Sequence, residues 1–158
     1  MRPQAAIIAT AMRIRDFLAL VKEDLPQYLP SELREFRWRI AFSFLQVYYW
    51  RPSIHYEFWP QRRTGRIELG LHFEGEREDN LRWLAALAER MPEVQATLGP
   101  QMEIEEWTQA WTRLHYTVDY VSLGEALVPQ YARQFARLIS RLQPMLEEIR
   151  EQLAFSQA

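Results

Sequence analysis

Alternating apolar and polar residues between Ile54 and Phe73 predict a β-hairpin. Strict period-two alternation is typical of strands that are buried on one side only. The apolar positions are Tyr56, Phe58, Ile67, Leu69, Leu71 and Phe73. The positions between them carry His55, Glu57, Trp59, Glu68, Gly70 and His72. One face of this hairpin should therefore contact the core, and the other should hold histidines and carboxylates at or near water.

A second hairpin is predicted between Met102 and Val118. The register that keeps its apolar residues on one face also places Glu105 opposite Arg113 and Glu103 opposite His115. Opposite charges on facing strand positions stabilise a sheet, so the charge pairing supports the same register.

Apolar residues at helical spacing predict long helices at both ends of the chain. The first helix should run from about Gln4 to Asp24, and the last should begin at Ser122, with Glu125 completing a capping box. Pro144 should kink the last helix, because it removes one hydrogen bond of the helix. We expect the two helices to pack together, within one chain or across a dimer. Their apolar stripes are Ile7, Ala11, Ile14, Leu18, Val21 and Leu25, and Tyr131, Phe135, Leu138, Leu142, Met145 and Ile149.

Residues 31–50 fit two patterns. Ser31 after Pro30 is typical of a helix start, and apolar residues at three- and four-residue spacing follow it. Between Phe36 and Phe44 the same residues also alternate as in a strand. Length and the capping residue favour the helix. A further helix is expected from Asp79 to Met91, followed by a helical turn that ends at Gly99.

Together these elements predict a single α+β domain over residues 1–158. We expect a four-stranded antiparallel sheet made of two hairpins, with the long terminal helices on one face and a polar, partly open second face. The chain contains no cysteine, which excludes disulfides and thiolate metal sites. The apolar run from Ala5 to Met12 is too short to cross a bilayer, so we expect a cytoplasmic protein without a membrane contact.

The first hairpin holds the strongest candidate chemistry. In the register that places Tyr56 beside Leu69, Glu57 lies opposite Glu68, with Cβ atoms ~5 Å apart. Facing carboxylates repel each other unless something compensates. A bound cation, a proton shared by the two carboxyl groups, or the side chain of Arg66 would each compensate.

The functional interpretation is a metal or acid–base site built from His55, Glu57, Glu68 and His72. Imidazole and carboxylate together suit zinc, manganese or iron, so a divalent metal is the cofactor that this face would take. The alternative is a solvated strand face, on which His55 covers Gly70 and the glutamates are hydrated. In that case no cofactor is expected.

Charge is unevenly distributed along the chain. Residues 1–66 carry 11 basic and 6 acidic side chains (+5), and residues 67–158 carry 8 and 15 (−7). Arginines interspersed with aromatic residues are typical of nucleic-acid sites. The alternative is that these arginines only keep a loop soluble. The candidate anion-binding or nucleic-acid-binding residues are Arg51, Arg62, Arg63 and Arg66.

Signals for other enzyme classes are weak. The only lysine, Lys22, lies on the first helix, whereas a restriction-type nuclease needs a lysine beside its strand carboxylates. The chain has no glycine-rich phosphate loop. We therefore expect a non-enzymatic binding or accessory module that acts through protein–protein or nucleic-acid contacts, with a homodimer as one such arrangement. The alternative is a metal-dependent or acid–base enzyme that uses the first hairpin.

The order of elements resembles an uncharacterised family of small α+β domains that are often appended to restriction-endonuclease-like domains. The resemblance covers roughly residues 54–150. It lies in a strand at Arg66–Leu71, a helix that ends at Leu98–Gly99, a strand at Met102–Trp107 and a long closing helix. It implies an accessory, non-catalytic role near nucleic acid and assigns no functional residue.

Overall fold

The structure is a computed structural model that describes residues 11–155. It is an α+β fold with a six-stranded antiparallel sheet in the order β1-β2-β3-β4-β6-β5. The strands are β1 Arg37–Ala41, β2 Phe44–Tyr48, β3 Ile54–Gln61, β4 Arg66–Phe73, β5 Glu103–Glu106 and β6 Thr112–Asp119. The helices are α1 Ile14–Asp24, α2 Arg77–Glu89, α3 Met91–Leu98 and α4 Val128–Phe155. The predicted fold class is confirmed, but the predicted four-stranded sheet is wrong, because the sheet has six strands.

The hydrophobic core lies between the helices and the apolar face of the sheet. Phe58 on β3 contacts Phe17 of α1 and Phe135 of α4, with ring centroids 6.4 and 5.7 Å away. The ring of Phe17 also packs edge to face against Tyr131 of α4, with ring centroids 6.0 Å apart. The expected packing of the terminal helices is therefore confirmed within one chain. The predicted first helix is wrong over residues 11–13, because Arg13 is extended, at φ −62° and ψ 141°, and α1 begins only at Ile14. The predicted start at Gln4 and the stripe position Ile7 lie outside the described residues.

The predicted start of the last helix is wrong. Gly124 is extended, at φ −137° and ψ 163°, so the backbone cannot continue a helix from Ser122. A short 3₁₀ turn, Glu125–Leu127, follows, and α4 begins at Val128. The helix continues through Pro144 to its end, and the expected kink stays a prediction.

The helix preferred for residues 31–50 is also wrong. Only a 3₁₀ turn, Ser31–Leu33, forms there, and the remaining residues supply β1 and β2. The turn between these strands holds Phe42 at φ +50°. Ser43 accepts a 3.1 Å hydrogen bond from the indole nitrogen of Trp59, which ties this turn to β3. These two strands account for the enlarged sheet.

Both strands of the first hairpin are confirmed, but their register differs by two residues from the predicted one. Glu57 pairs with Gly70 and not with Glu68, and His55 pairs with His72. Because the shift is an even number of residues, every side chain keeps its predicted face.

The register of the second hairpin is confirmed, with Glu105 opposite Arg113 and Glu103 opposite His115. The prediction did not include the second partner of β6. This strand also pairs with β4 over its whole length, so it lies inside the sheet and β5 forms the edge.

A compact turn closes this hairpin without glycine. The hydroxyl of Thr108 accepts hydrogen bonds from the amides of Ala110 and Trp111, at 3.2 and 2.8 Å. The amide of Trp107 donates to the carbonyl of Trp111 at 3.1 Å. A hydroxyl that satisfies two backbone amides replaces the usual glycine turn and fixes the two tryptophans.

The helix expected at Asp79–Met91 is present at Arg77–Glu89, and α3 follows and ends at Gly99 as predicted. Gly99 has φ +111°, a conformation that favours glycine at a helix end. Within residues 11–155, none of the helices combines the length and apolarity needed to cross a membrane.

Candidate metal centre

The centre of the polar face of the sheet is buried, although its ends are open. Four polar side chains of β3 and β4 on this face are each at most 4 % exposed, whereas the sequence predicted histidines and carboxylates at or near water. The residues concerned are His55, Glu57, Glu68 and His72. Polar side chains that are buried to this extent need hydrogen-bond or ionic partners within the protein.

Four side chains bring one metal-ligating atom each within 4.8 Å of the others. They are His55 and Glu57 on β3, His72 on β4 and Glu74 just after it. His55 Nε2 lies 3.3 Å from Glu57 Oε1 and 3.5 Å from Glu74 Oε2. His72 Nδ1 lies 2.9 Å from Glu74 Oε2. Neighbouring ligands of a tetrahedral zinc ion are about 3.4 Å apart, so these separations suit a first coordination shell.

The remaining ring nitrogen of each histidine has its own partner. His55 Nδ1 lies 2.8 Å from the carbonyl oxygen of Pro52, which can only accept, so Nδ1 carries the proton and Nε2 faces the cluster. His72 Nε2 lies 3.2 Å from Glu68 Oε1 and 3.5 Å from Glu57 Oε2, and Arg113 binds the same oxygen of Glu68 at 2.8 Å. Metal-ligating histidines are oriented in this way, by a carbonyl or a carboxylate on the second nitrogen.

His72 is the positive centre of the cluster in the metal-free protein. Burial alone would lower its pKa, but hydrogen bonds to Glu68 and Glu74, together with the charge of Glu57, outweigh burial and raise the pKa to about 10. Burial alone would raise the pKa of Glu68, but the contacts with His72 and Arg113 lower it. Without metal, a proton on His72 therefore balances part of the carboxylate charge.

The third histidine of the chain borders the same cluster. His115 Nε2 lies 3.0 Å from Glu105 Oε1, and its Nδ1 lies 3.5 Å from Glu68 Oε1. Neither nitrogen has hydrogen-bond geometry with a partner. Burial and the charge of Arg113 lower the pKa of His115, so this ring is neutral near pH 7.

Gly70 makes room for His115. A Cβ atom on Gly70 would lie 2.8 Å from the Cβ of His115 and 3.1 Å from the carbonyl oxygen of Leu114. The sequence assigned the gap at Gly70 to His55, but in the structure a strand from the second hairpin fills it.

A cavity of about 260 Å³ adjoins the cluster. Glu57 and Glu74 contribute to its lining, and tryptophans form much of the remainder. Trp107 also packs edge to face on His72, with ring centroids 5.4 Å apart, and so helps to seal the cluster from water. The full lining consists of Arg39, Phe44, Gln46, Glu57, Trp59, Glu74, Trp107 and Trp111.

The sequence-predicted site is brought together in part. His55, Glu57 and His72 lie in the four-residue cluster, but Glu68 is in contact with the outer nitrogen of His72 instead. Sequence reasoning missed Glu74. The signal was available, because Glu74 follows His72 by two residues and so continues the polar alternation of β4.

The predicted anion-binding arginines do not form one site. Arg62 and Arg63 lie in the turn after β3 and Arg66 begins β4, while Arg51 lies before the opposite end of β3. Eight strand residues separate the two ends, a distance of about 25 Å. All four side chains are exposed, and Arg66 lies 3.7 Å from Asp119.

Comparison with protein-family models, curated proteins and solved structures finds no match to this chain. The resemblance to domains appended to restriction-endonuclease-like proteins stays a prediction, and function has to be argued from geometry.

Proposed function

We propose that this protein binds one divalent transition-metal ion through His55, Glu57, His72 and Glu74, and presents it to a small ligand. The observation that carries the proposal is the convergence of the four donors within 4.8 Å, with both outer histidine nitrogens already held. A divalent ion in such a site acts as a Lewis acid and lowers the pKa of bound water.

The donor set favours zinc, manganese or ferrous iron. Two imidazoles and two carboxylates suit these ions, whereas calcium and magnesium prefer oxygen ligands alone. Two carboxylates also neutralise the charge of a divalent ion, which lowers the cost of holding it in a buried place. In the metal-free protein Gln46 donates to Glu57 Oε1 at 3.2 Å, and an ion would replace that contact.

The position of the cluster suits a functional site more than a structural one. All four donors come from β3, β4 and the residue just after β4, so they approach an ion from the sheet side. The cavity lies where Glu57 and Glu74 reach the surface of the cluster. Four protein donors complete a tetrahedral shell, so a ligand from the cavity would bind as a fifth one, in the expanded coordination that these ions accept.

The direct test is native mass spectrometry of protein that is stripped with a chelator and then reloaded with Zn²⁺ or Mn²⁺. We expect one ion per chain and a higher melting temperature. Glu57→Gln should abolish stoichiometric binding, while Glu103→Gln, an exposed carboxylate on edge strand β5, should leave it unchanged. No bound ion in the unaltered protein, or equal binding by both variants, would overturn the proposal.

Cobalt substitution tests this fifth position. The visible absorption of Co²⁺ should report a protein-bound ion, and addition of azide should change that spectrum because the anion enters a free coordination position. A protein-bound cobalt spectrum that azide leaves unchanged would indicate a closed, structural site.

A second candidate function, binding of an anionic partner such as a nucleic-acid backbone, is supported by one observation. Arg13, Arg15 and Arg62 line a common cavity of about 510 Å³ together with exposed Phe42, and no carboxylate from residues 11–155 contributes to it. Fluorescence anisotropy with labelled single-stranded DNA and RNA at low salt tests this function. Arg62→Glu should weaken binding, whereas Arg63→Gln in the same turn should change it little. No binding at low salt would remove this candidate.

A further inference from the structure

We infer that the ligand of the proposed metal centre is a small planar aromatic molecule that carries one anionic group. This inference rests on the proposed function and deepens it. It follows from three properties of the cavity above Glu57 and Glu74: its aromatic walls, its single unpaired cation and its size.

Aromatic side chains form the walls of the cavity. Trp59, Trp107, Trp111 and Phe44 contribute to its lining. Trp59 is fixed by its hydrogen bond to Ser43, and the rings of Trp107 and Trp111 lie 5.8 Å apart. Fixed aromatic faces favour planar partners, because stacking depends on flat contact between the rings.

Arg39 supplies the charge complementarity. It is the only cation among the described residues that line the cavity, and its guanidinium makes no hydrogen bond or ion pair with any residue in 11–155. A guanidinium without a protein partner at a cavity wall is suited to bind a carboxylate or a similar anionic group.

The carboxylates of Glu57 and Glu74 also line this cavity and would repel an anion in the metal-free protein. A divalent ion bound between them removes that repulsion. Binding of the aromatic anion should therefore depend on the metal, which distinguishes this site from a simple hydrophobic cavity.

The volume sets the size of the ligand. At about 260 Å³ the cavity is slightly smaller than the range of roughly 300–1,000 Å³ typical of drug-sized ligands. A molecule with one or two rings fits this space.

Isothermal titration of zinc-loaded protein with three matched probes tests the inference. Benzoate should bind at least about tenfold more tightly than cyclohexanecarboxylate, which has the same charge but no planar ring. Benzamide keeps the ring without the charge and should also bind at least about tenfold more weakly. Equal affinity for all three probes would overturn the inference, and so would equal binding of benzoate to stripped and loaded protein.

Two variants link the binding to this cavity. Trp111→Leu and Arg39→Gln should each weaken benzoate binding about tenfold. The controls are Trp38→Leu, on the other face of β1, and Arg37→Gln, two residues from Arg39 on the same face. Both should bind benzoate as the unaltered protein does. Trp111 is 37 % exposed and Arg39 is exposed, so these changes should not unfold the protein.

The metal content of every sample separates the two proposals. If the protein binds one zinc ion per chain but shows no preference for benzoate, the proposed ligand class is wrong and the metal centre is still supported. The same holds if all four variants bind benzoate with equal affinity. Absence of stoichiometric zinc overturns the proposed function itself.

Discussion

In the metal-free protein, the free energy of unfolding should fall as pH rises from neutral toward pH 10. The cause is His72, whose pKa is raised from 6.5 to about 10 by the carboxylates around it. A group whose pKa is raised on folding contributes its stability fully below the unfolded value, and that contribution is lost as pH rises through the folded value. The window for this effect is therefore pH 6.5 to 10.

The magnitude follows from proton linkage. One proton held by the folded state but not by the unfolded state gives a slope of about 1.4 kcal/mol per pH unit. Between pH 7 and pH 9 the metal-free protein should therefore lose about 2 to 3 kcal/mol. Two neighbours titrate in other windows. The pKa of Glu68 is lowered, so its contribution is lost only in acid, and neutral His115 changes stability only below its ordinary pKa.

Urea unfolding followed by tryptophan fluorescence, with chelator present, measures this slope. The unfolding midpoint should decrease steadily from pH 7 to pH 9, and His72→Gln should remove most of the decrease whatever its own stability. With saturating Zn²⁺ the decrease should largely disappear, because the zinc-bound folded state and the unfolded state then both hold His72 without its proton. A flat profile for the unaltered, metal-free protein would refute the ion network described for His72.

Two further changes test the packing around the cluster. Gly70→Ala should lower the free energy of unfolding by about 1–3 kcal/mol, because the new methyl group would lie 2.8 Å from the Cβ of His115; an unchanged urea midpoint would contradict this contact. Arg113→Met should cost about 1.5–3 kcal/mol, because the buried carboxylate of Glu68 loses its 2.8 Å charged partner and keeps only His72. Arg66→Met, which removes a solvent-exposed pair on the same sheet, should cost less than about 1 kcal/mol in the same assay. Equal losses for the two arginine variants would show that burial of the pair is unimportant.

Strand faces in both hairpins could be predicted from the sequence, because a side chain's face depends only on local alternation. The register of the first hairpin could not, because it depends on the turn. The predicted pairing required a two-residue turn at Arg62 and Arg63, but such turns favour Asn-Gly or Asp-Gly. The structure has a four-residue loop that ends at Gly65, with φ +64°. The glycine at position 65 was the sequence signal for this longer loop.

The strands β1 and β2 were missed for a different reason. Their apolar residues fit both periods, and the turn between them contains no glycine, proline or asparagine. Phe42 adopts positive φ there although bulky residues rarely do so. The turn is held by the bond between Ser43 and Trp59, which joins residues far apart in the sequence. Local patterns contain no information about such a contact.

Burial of the polar cluster could not be predicted from the sequence either. His55, Glu57 and His72 were assigned to the correct face, but alternation cannot indicate what covers them. Trp107 and Trp111 lie in a turn more than 30 residues further along the chain. They reach the cluster because β6 pairs with β4, a long-range pairing that the prediction did not include.

The place of the donor strands in the sheet has a consequence for ligand exchange. β3 and β4 are the innermost strands, each hydrogen-bonded on both sides, whereas Arg39 of edge strand β1 and the two tryptophans of the turn between β5 and β6 form the outer part of the cavity wall. Backbone amides in such central strands open to hydrogen–deuterium exchange only at high free-energy cost, whereas edges and turns open readily. Entry and departure of a bound molecule can thus proceed by local opening of this periphery, while the atoms that hold the ion keep their mutual distances.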